Sequence, residues 1–249
     1  MKHPCEVVAD VLRERGNAVV FTGAGISTES GIPDFRSPGG VWSRTTPVYF
    51  NEFCSSEKAR REYWAQKAES HDSMFHARPN VGHRILAGWE SRGLVSGLIT
   101  QNIDGLHQSA GCSKVLELHG TAREVACLDC GERFDAEPWV RQFQATDEIP
   151  CCPSCSGMLK HATISIGQPL DPAVINEAVN WSRSCALFIA IGSSLVVTPA
   201  ADLPLLAVDN GAKLVIINRE PTLHDAAADT VVHGEIGPTL ERIEALLQS

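Results

Sequence analysis

The sequence predicts an α/β fold, a doubly wound parallel sheet carrying a smaller domain. Three observations predict it. Four short apolar runs do not alternate with polar residues, so both faces of each strand should be covered. Stretches with helical spacing lie between the runs, and strands alternating with helices argue for a parallel sheet. Five of the nine cysteines crowd between Cys127 and Cys155, marking a separate module. A chain of 249 residues has room for one large domain with a small insert.

Taken in order, Val7 to Arg15 reads as a helix, followed by a strand at Ala18 to Phe21 that ends on Thr22-Gly23. A helix over Val81 to Ser91 precedes a strand over Leu94 to Ile99, which ends on Thr100-Gln101-Asn102. The pattern repeats with a helix at Pro172 to Ser182 and a strand at Leu187 to Ile191, before Gly192-Ser193-Ser194. A helix at Ala200 to Asp209, a strand at Leu214 to Ile217 before Asn218, and a helix at Pro238 to Leu247 complete the series. Ligands of such sheets bind beyond the carboxyl ends of the strands, where these Gly, Ser, Thr and Asn clusters sit. Two stretches break the alternation. Residues 44–76 read as a helical excursion, and residues 124–162 hold the cysteine module.

Composition excludes several classes. Hydrophobic residues are 43% and charged residues 20%, a globular profile. The net charge of −9 disfavours direct nucleic-acid binding and suits basic protein segments as partners. Met1-Lys2-His3-Pro4-Cys5-Glu6 shows no secretory pattern, and the longest apolar run, Cys185 to Ile191, is too short to span a bilayer. The expectation is an intracellular, cytoplasmic protein in a reducing compartment, with no membrane partner.

Cys127-Leu128-Asp129-Cys130 and Cys152-Pro153-Ser154-Cys155 are two Cys-x-x-Cys knuckles separated by 21 residues. Each knuckle places two thiolates on one side of a tight turn, and two knuckles complete a tetrahedron around zinc. Four thiolates leave no open position for water, so the expected zinc is structural. Cys151 is a spare thiol beside the second knuckle. A redox pair is disfavoured because the knuckles come as two, and a nucleic-acid-binding ribbon is disfavoured by the acidic charge.

Gly23-Ala24-Gly25-Ile26-Ser27-Thr28 follows the first strand like the start of a dinucleotide fingerprint. Thr28 stands where the third glycine would be. No acidic residue closes a second strand about 20 residues on, so the turn alone is equally a packing feature. Its company is more specific. Gly31-Ile32-Pro33-Asp34-Phe35-Arg36 follows, then Thr100-Gln101-Asn102-Ile103-Asp104-Gly105-Leu106-His107, then Leu118-His119-Gly120 just ahead of the first knuckle. In this order the sequence resembles the sirtuin family, Sir2-like NAD-dependent protein deacylases, over nearly its whole length. Gly192-Ser193-Ser194-Leu195 and Asn218 also fit.

The resemblance implies a Rossmann-like NAD-binding domain over 1–43, 77–123 and 163–249. A helical module (44–76) and a zinc-binding module (124–162) would form the smaller domain. NAD and an acyl-lysine protein or peptide would enter a cleft from opposite sides. Gly23, Ala24, Gly25 and Ser27 would line the phosphate turn, and Asp34, Phe35 and Arg36 would lie against the cofactor. Gln101, Asn102, Ile103 and Asp104 would surround the nicotinamide and its ribose. Gly192, Ser193, Ser194, Asn218 and Arg219 would cradle the adenosine end, with Ile236 nearby. His119 would be the general base, an imidazole being suited to proton removal near neutrality. In the family mechanism the substrate amide oxygen attacks the ribose carbon as nicotinamide leaves. The histidine then helps a ribose hydroxyl attack the resulting imidate. Products are lysine, nicotinamide and an O-acyl-ADP-ribose. His107 reads as structural, as do His71, His83 and His161.

Two departures concern the substrate. Family members usually carry Val-x-Phe-Gly-Glu after the second knuckle; here the segment is Ile164-Ser165-Ile166-Gly167-Gln168. Backbone pairing with a peptide tolerates that change, so Ile164, Ile166 and Gly167 remain the expected peptide contacts. Branches that remove acidic acyl groups tend to show Tyr-x-x-Arg, where Tyr63-Trp64-Ala65-Gln66 keeps the tyrosine and lacks the arginine. No strong succinyl preference is therefore expected, and Tyr63 is equally a packing residue. The rival functions are mono-ADP-ribosyl transfer and a non-catalytic NAD-sensing module.

Overall fold

The structure, a computed structural model, describes residues 2–34, 40 and 45–249. Its first half comprises α1 (Pro4–Arg15), β1 (Ala18–Thr22), a 3-10 turn (Ala24–Ser30), α2 (Phe50–Ser55) and α3 (Glu57–Phe75). Next come α4 (Val81–Ser91), β2 (Val95–Thr100), α5 (Leu106–Ala110) and β3 (Val115–Glu117). The cysteine region holds β4 (Gly120–Cys127), β5 (Arg133–Asp135), α6 (Ala136–Thr146) and β6 (Leu159–Thr163). The remainder runs α7 (Pro172–Ser184), β7 (Leu187–Ile191), α8 (Leu203–Asp209), β8 (Lys213–Asn218), β9 (Thr230–His233) and α9 (Ile236–Gln248).

The four runs read as strands form the middle of one sheet, ordered β3-β2-β1-β7-β8-β9, with every neighbouring pair parallel. Alternate residues of one strand enter different cores. In β1, Ala18 and Val20 pack with α1, α4 and α9, while Val19 and Phe21 pack with α7 and α8. Continuous apolar runs are what a sheet covered on both faces requires. The helices answer with one buried stripe each, such as Cys5, Val8, Ala9 and Leu12 of α1.

The edge strands β3 and β9 escape sequence reading, because three or four half-buried residues carry no clear pattern. The expected helix at Ala200 to Asp209 is a 3-10 turn over Ala200–Asp202 followed by α8, which begins on Leu203-Pro204. Proline favours that first-turn position because its missing N–H is not needed there.

At Gly97 the sheet meets Trp181 of α7 at close range. A β-carbon there would lie 2.4 Å from the indole Cζ3. Gly97→Ala is expected to destabilise the fold by roughly 1–3 kcal/mol, the usual cost of overpacking, read as a lower urea midpoint at an unchanged slope.

The helical stretch and the cysteine region share a second core. Phe53, Tyr63 and Trp64 of α2 and α3 pack with Val140 and Phe143 of α6 and with Val125 and Leu159 of the antiparallel β5-β4-β6 sheet. Arg123 ties this lobe to the larger sheet. Its guanidinium donates to the carbonyls of Asp104 (2.8 Å) and Phe75 (3.0 Å), with its carbon 5.2 Å from the Phe75 ring centre.

Candidate active site

A cavity of about 1190 Å³ lies beyond the carboxyl ends of β1, β2, β7 and β8, bounded opposite by residues 163–170 and one face of α3. Ordinary small-ligand sites span roughly 300–1,000 Å³, so this one has room for a dinucleotide and part of a second molecule.

Its floor is made by two turns in backbone contact. Gly23 N–H donates to the Ile191 carbonyl at 3.0 Å, and Gly25 N–H to the Gly192 carbonyl at 2.9 Å. A β-carbon on Gly25 would fall 2.8 Å from Gly192 Cα, and Gly192 itself holds φ +63°. Glycine is dictated here by both space and conformation. The turn is also pinned from behind. The Asn80 amide donates to the Ile26 carbonyl at 2.7 Å, and the Glu29 carboxylate accepts from Gly237 N–H at 2.8 Å.

Most of the residues singled out from the sequence line the cavity. Gly23, Ala24, Gly25 and Asp34 come from the first turn, and Gln101, Asn102 and Ile103 from the end of β2. Gly192, Ser193, Ser194, Asn218, Arg219 and Ile236 form the far end, while His119, Tyr63, Ile164, Ile166 and Gly167 form the opposite wall. Ser27 and Asp104 lie behind the wall. Ser27 is 1% exposed and donates from Oγ to Asp104 Oδ2 at 2.7 Å, while the Asn102 amide donates to Ser27 Oγ at 3.1 Å. They hold Asn102 in place from beneath. Phe35 and Arg36 lie outside the described residues.

His119 is fixed from both sides. Leu118 N–H donates to the Thr100 carbonyl at 2.9 Å, and Ile164 N–H to the His119 carbonyl at 2.8 Å. Gly120 follows at φ +70°, where a β-carbon would meet the Ala162 carbonyl oxygen at 2.0 Å. The imidazole Nδ1 sits 3.0 Å from the Gln101 carbonyl. A carbonyl only accepts, so Nδ1 carries the proton and Nε2 is left as a base facing the cavity. Burial lowers the His119 pKa from the usual imidazole value, with the Gln101 carbonyl acting the other way. The ring is neutral, and so able to accept a proton, at pH 7.

Beneath the floor lies a buried polar cluster that sequence reasoning missed. Thr22 Oγ1 lies 2.9 Å from both Thr100 Oγ1 and His107 Nε2, and Thr100 Oγ1 accepts from Asn102 N–H at 3.0 Å. Burial takes His107 down to about 3 and His83 beside it to about 4, so both are neutral structural residues. A threonine closing each of two buried strands just before a glycine or glutamine was the readable signal. Also missed were Lys67 and Thr163 on the α3 side and Glu220 and Glu235 at the far end, all lining the cavity. Arg219 lies 3.6 Å from Glu220 and 3.8 Å from Glu235.

Tyr63 packs edge-on to Phe53 at 4.9 Å and also borders the cavity. Gln168 closes its own turn, its Oε1 accepting from Ser165 N–H at 3.2 Å.

The four knuckle thiols converge, with all four sulfur atoms within 4.8 Å of one another. Cys127 and Cys155 Sγ are 3.5 Å apart, and Cys130 and Cys152 Sγ 3.7 Å. Tetrahedral zinc with sulfur at about 2.3 Å needs separations of about 3.8 Å, so the set fits the metal. Asp129 and Cys130 N–H groups point at Cys127 Sγ at 3.4 and 3.5 Å, as a thiolate ligand would want.

The Sir2 family model matches residues 23–199. The "NAD-dependent protein deacetylase" of Rhodopseudomonas palustris is 49% identical over 94% of both chains. "NAD-dependent protein deacylase 2" of Archaeoglobus fulgidus is 41% identical over 98% of this chain and 96% of its own. Among solved structures, a Sir2 enzyme with a p53 peptide and NAD+ is 37% identical, with a TM-score of 0.89 over 98% of both chains. A Sir2 variant holding a deacetylated p53 peptide and 3'-O-acetyl-ADP-ribose reaches 0.91 at 36% identity, again over 98% of both. The order of motifs, the four-cysteine module and the fold are shared along almost the entire length, and the chain belongs to the Sir2 family.

Proposed function

We propose that the protein is an NAD-dependent protein-lysine deacylase that releases nicotinamide and an O-acyl-ADP-ribose. The observation that carries the reading is the His119 arrangement, with Nδ1 fixed to the Gln101 carbonyl and Nε2 free at the cavity wall. NAD supplies the activated glycosidic bond whose carbon accepts the amide oxygen. The chain's part is to bind, orient and move a proton. The Gly23–Gly25 and Gly192 turns allow the pyrophosphate to approach bare backbone. Asn102, held by Ser27 and the Gly23 carbonyl (3.1 Å), presents a fixed polar wall beside His119. Gln101 orients Ser193, donating from Nε2 to its Oγ at 2.7 Å, and so links the two halves of the floor. His119 Nε2 takes the proton from the ribose hydroxyl.

The acyl-lysine segment of the partner lies along Ile164, Ile166 and Gly167, and Tyr63 borders the acyl chain. Four thiolates hold one structural zinc. The division into an NAD-binding domain (1–43, 77–123, 163–249), a helical module (44–76) and a zinc module (124–162) is part of the reading. So is a cytoplasmic setting, supported by Cys5, Cys54, Cys112 and Cys185, which are all free thiols. Among the described residues no helix is long and apolar enough to cross a membrane.

The test is mass spectrometry of products after incubation with NAD and a panel of acylated peptides. The expected result is nicotinamide and O-acyl-ADP-ribose in equal amounts, each dependent on peptide. ADP-ribose retained on protein would indicate ADP-ribosyl transfer, and NAD binding with no turnover of any peptide would indicate a sensing module. Either result overturns the reading.

A further inference from the structure

A second, much smaller cavity lies where α3, β4 and β6 meet. It has a volume of about 20 Å³, and its lining includes Lys67, Ser70 and His71 of α3, Arg123 of β4 and His161 of β6. A space of that size holds one water or one monoatomic ion and nothing larger.

The groups around it donate. His161 is 4% and His71 7% exposed, yet His161 Nδ1 and His71 Nε2 have no hydrogen-bond partner among the described residues. Buried polar atoms left unpaired are costly, so a pair of them at one small cavity calls for an occupant. The Trp64 indole N–H, whose ring centre is 5.3 Å from that of His161, is a third buried donor without a partner. Lys67 borders this cavity as well as the large one and makes no hydrogen bond or ion pair among the described residues. Its ammonium rests 5.4 Å from the centre of the Tyr63 ring. Arg123 donates to the carbonyls of Asp104, Phe75 and Met74, which leaves two of the five guanidinium N–H groups unspent.

Nothing at the cavity answers these charges. No carboxylate lines it. Asp72, next to His71, pairs with Arg141 at 2.7 Å, and Glu124, next to Arg123, pairs with Arg133 at 2.6 Å. Beside His161 on β6, buried Lys160 adds a further cation, its ammonium donating to the carbonyls of His161 and Thr163. Burial moves the amines toward neutrality, Lys67 to about 8 and Lys160 to about 7, with the charge of Lys67 adding to the effect on Lys160. His161 is held well below the usual imidazole value, by burial first and then by Lys67 and Lys160.

Water and anion make different demands on such a wall. A water brings two hydrogens that need acceptors, and Lys and Arg side chains have no lone pair to offer. An anion needs donors alone, and a hydrogen bond to a charged group in a partly dry site is stronger than one to water. A neutral imidazole presents an N–H at either nitrogen by choice of tautomer, so both rings can serve.

We infer that this cavity is a site for a single small monovalent anion of chloride size, held by ring N–H groups of His71 and His161 and by the positive charges of Lys67 and Arg123. The site is separate from the large cavity and does not rest on the deacylase reading. Its effect falls on the joint between the lobes, because Arg123 is the residue that ties β4 to the Asp104 carbonyl.

The experiment has two arms. Crystals soaked in sodium bromide should show one anomalous peak in this cavity, within hydrogen-bond reach of His71 and His161. In solution, thermal unfolding is followed while sodium chloride replaces sodium gluconate at constant ionic strength, gluconate being too large to enter. Tm should rise saturably, by roughly 3–5 °C at ten times the dissociation constant. That chloride-dependent rise should fall by at least half in Lys67→Met and in His161→Phe, each compared with its own Tm in gluconate. If one variant does not fold, the other and the wild-type crystal decide. A water in the cavity with no anomalous peak overturns the inference. So does a peak without a saturable rise in Tm, which would mark an adventitious ion only, and so does a rise that both variants retain in full.

Discussion

Replacing His119 with alanine is expected to lower O-acyl-ADP-ribose formation by roughly 10²–10⁴-fold, the usual contribution of a positioned general base. The fold should survive, because the backbone around residue 119 is held by main-chain bonds at Leu118 and Ile164 that need no imidazole. Unchanged zinc content and an unchanged urea midpoint would establish that. A milder test of the same claim is the pH profile of the wild type. Burial lowers the His119 pKa, so the neutral, proton-accepting form is already dominant below the usual imidazole midpoint. Activity should rise with pH, pass its midpoint below about 6.5 and level off by neutrality. A midpoint above that value would mean that the Gln101 carbonyl outweighs burial and that the ring is charged when it should be a base. A variant with near-normal turnover at position 119 would remove the imidazole from the mechanism.

Stripping the metal is expected to have the second largest effect, near-complete loss of activity with partial unfolding. The zinc module has little core of its own. Its β5-β4-β6 sheet is three strands, and Cys127 and Cys152 are themselves members of the small lobe's core. Binding of structural zinc is worth on the order of 10 kcal/mol in small modules, more than a core of this size supplies alone. Dialysis against a strong chelator under reducing conditions should release one zinc per chain and reduce the near-ultraviolet circular dichroism of Trp64 and Trp139. It should also abolish turnover, although no thiolate lies in the cavity. The reason is mechanical. β4 begins at Gly120, immediately after the base, and ends at Cys127, so one strand joins the metal to the catalytic wall. Retention of activity by the zinc-free protein would show that the two ends of β4 are uncoupled.

The legible parts of this protein are those whose physics is local. The buried runs at 187–191 and 214–217, five and four apolar residues long, read as central strands because each must be covered on both faces. The paired knuckles announced four sulfurs around a metal because their spacing is itself the geometry. Illegible were the features that exist only through distant partners. β3 and β9 are strands because neighbours offer them an edge, and α6 (Ala136–Thr146), inside the cysteine module, packs its Val140 and Phe143 against Trp64 of α3. The candidate site divided in the same way. His119 and Gln101 stood out in the sequence, but the bond between them did not. The placement of Ser27 and Asp104 behind Asn102 could not be read from their positions in a motif.

The meeting of Gly25 with Gly192 sets a limit on how this protein can change. The obstruction there is main chain against main chain, so enlarging either residue cannot be answered by trimming the other, which is already as small as an amino acid can be. Compensating pairs, the usual route by which packed sites drift, do not exist for this contact. In a saturation library that varies both positions together, glycine should return at both, and the two halves of the nucleotide floor can evolve only as one part.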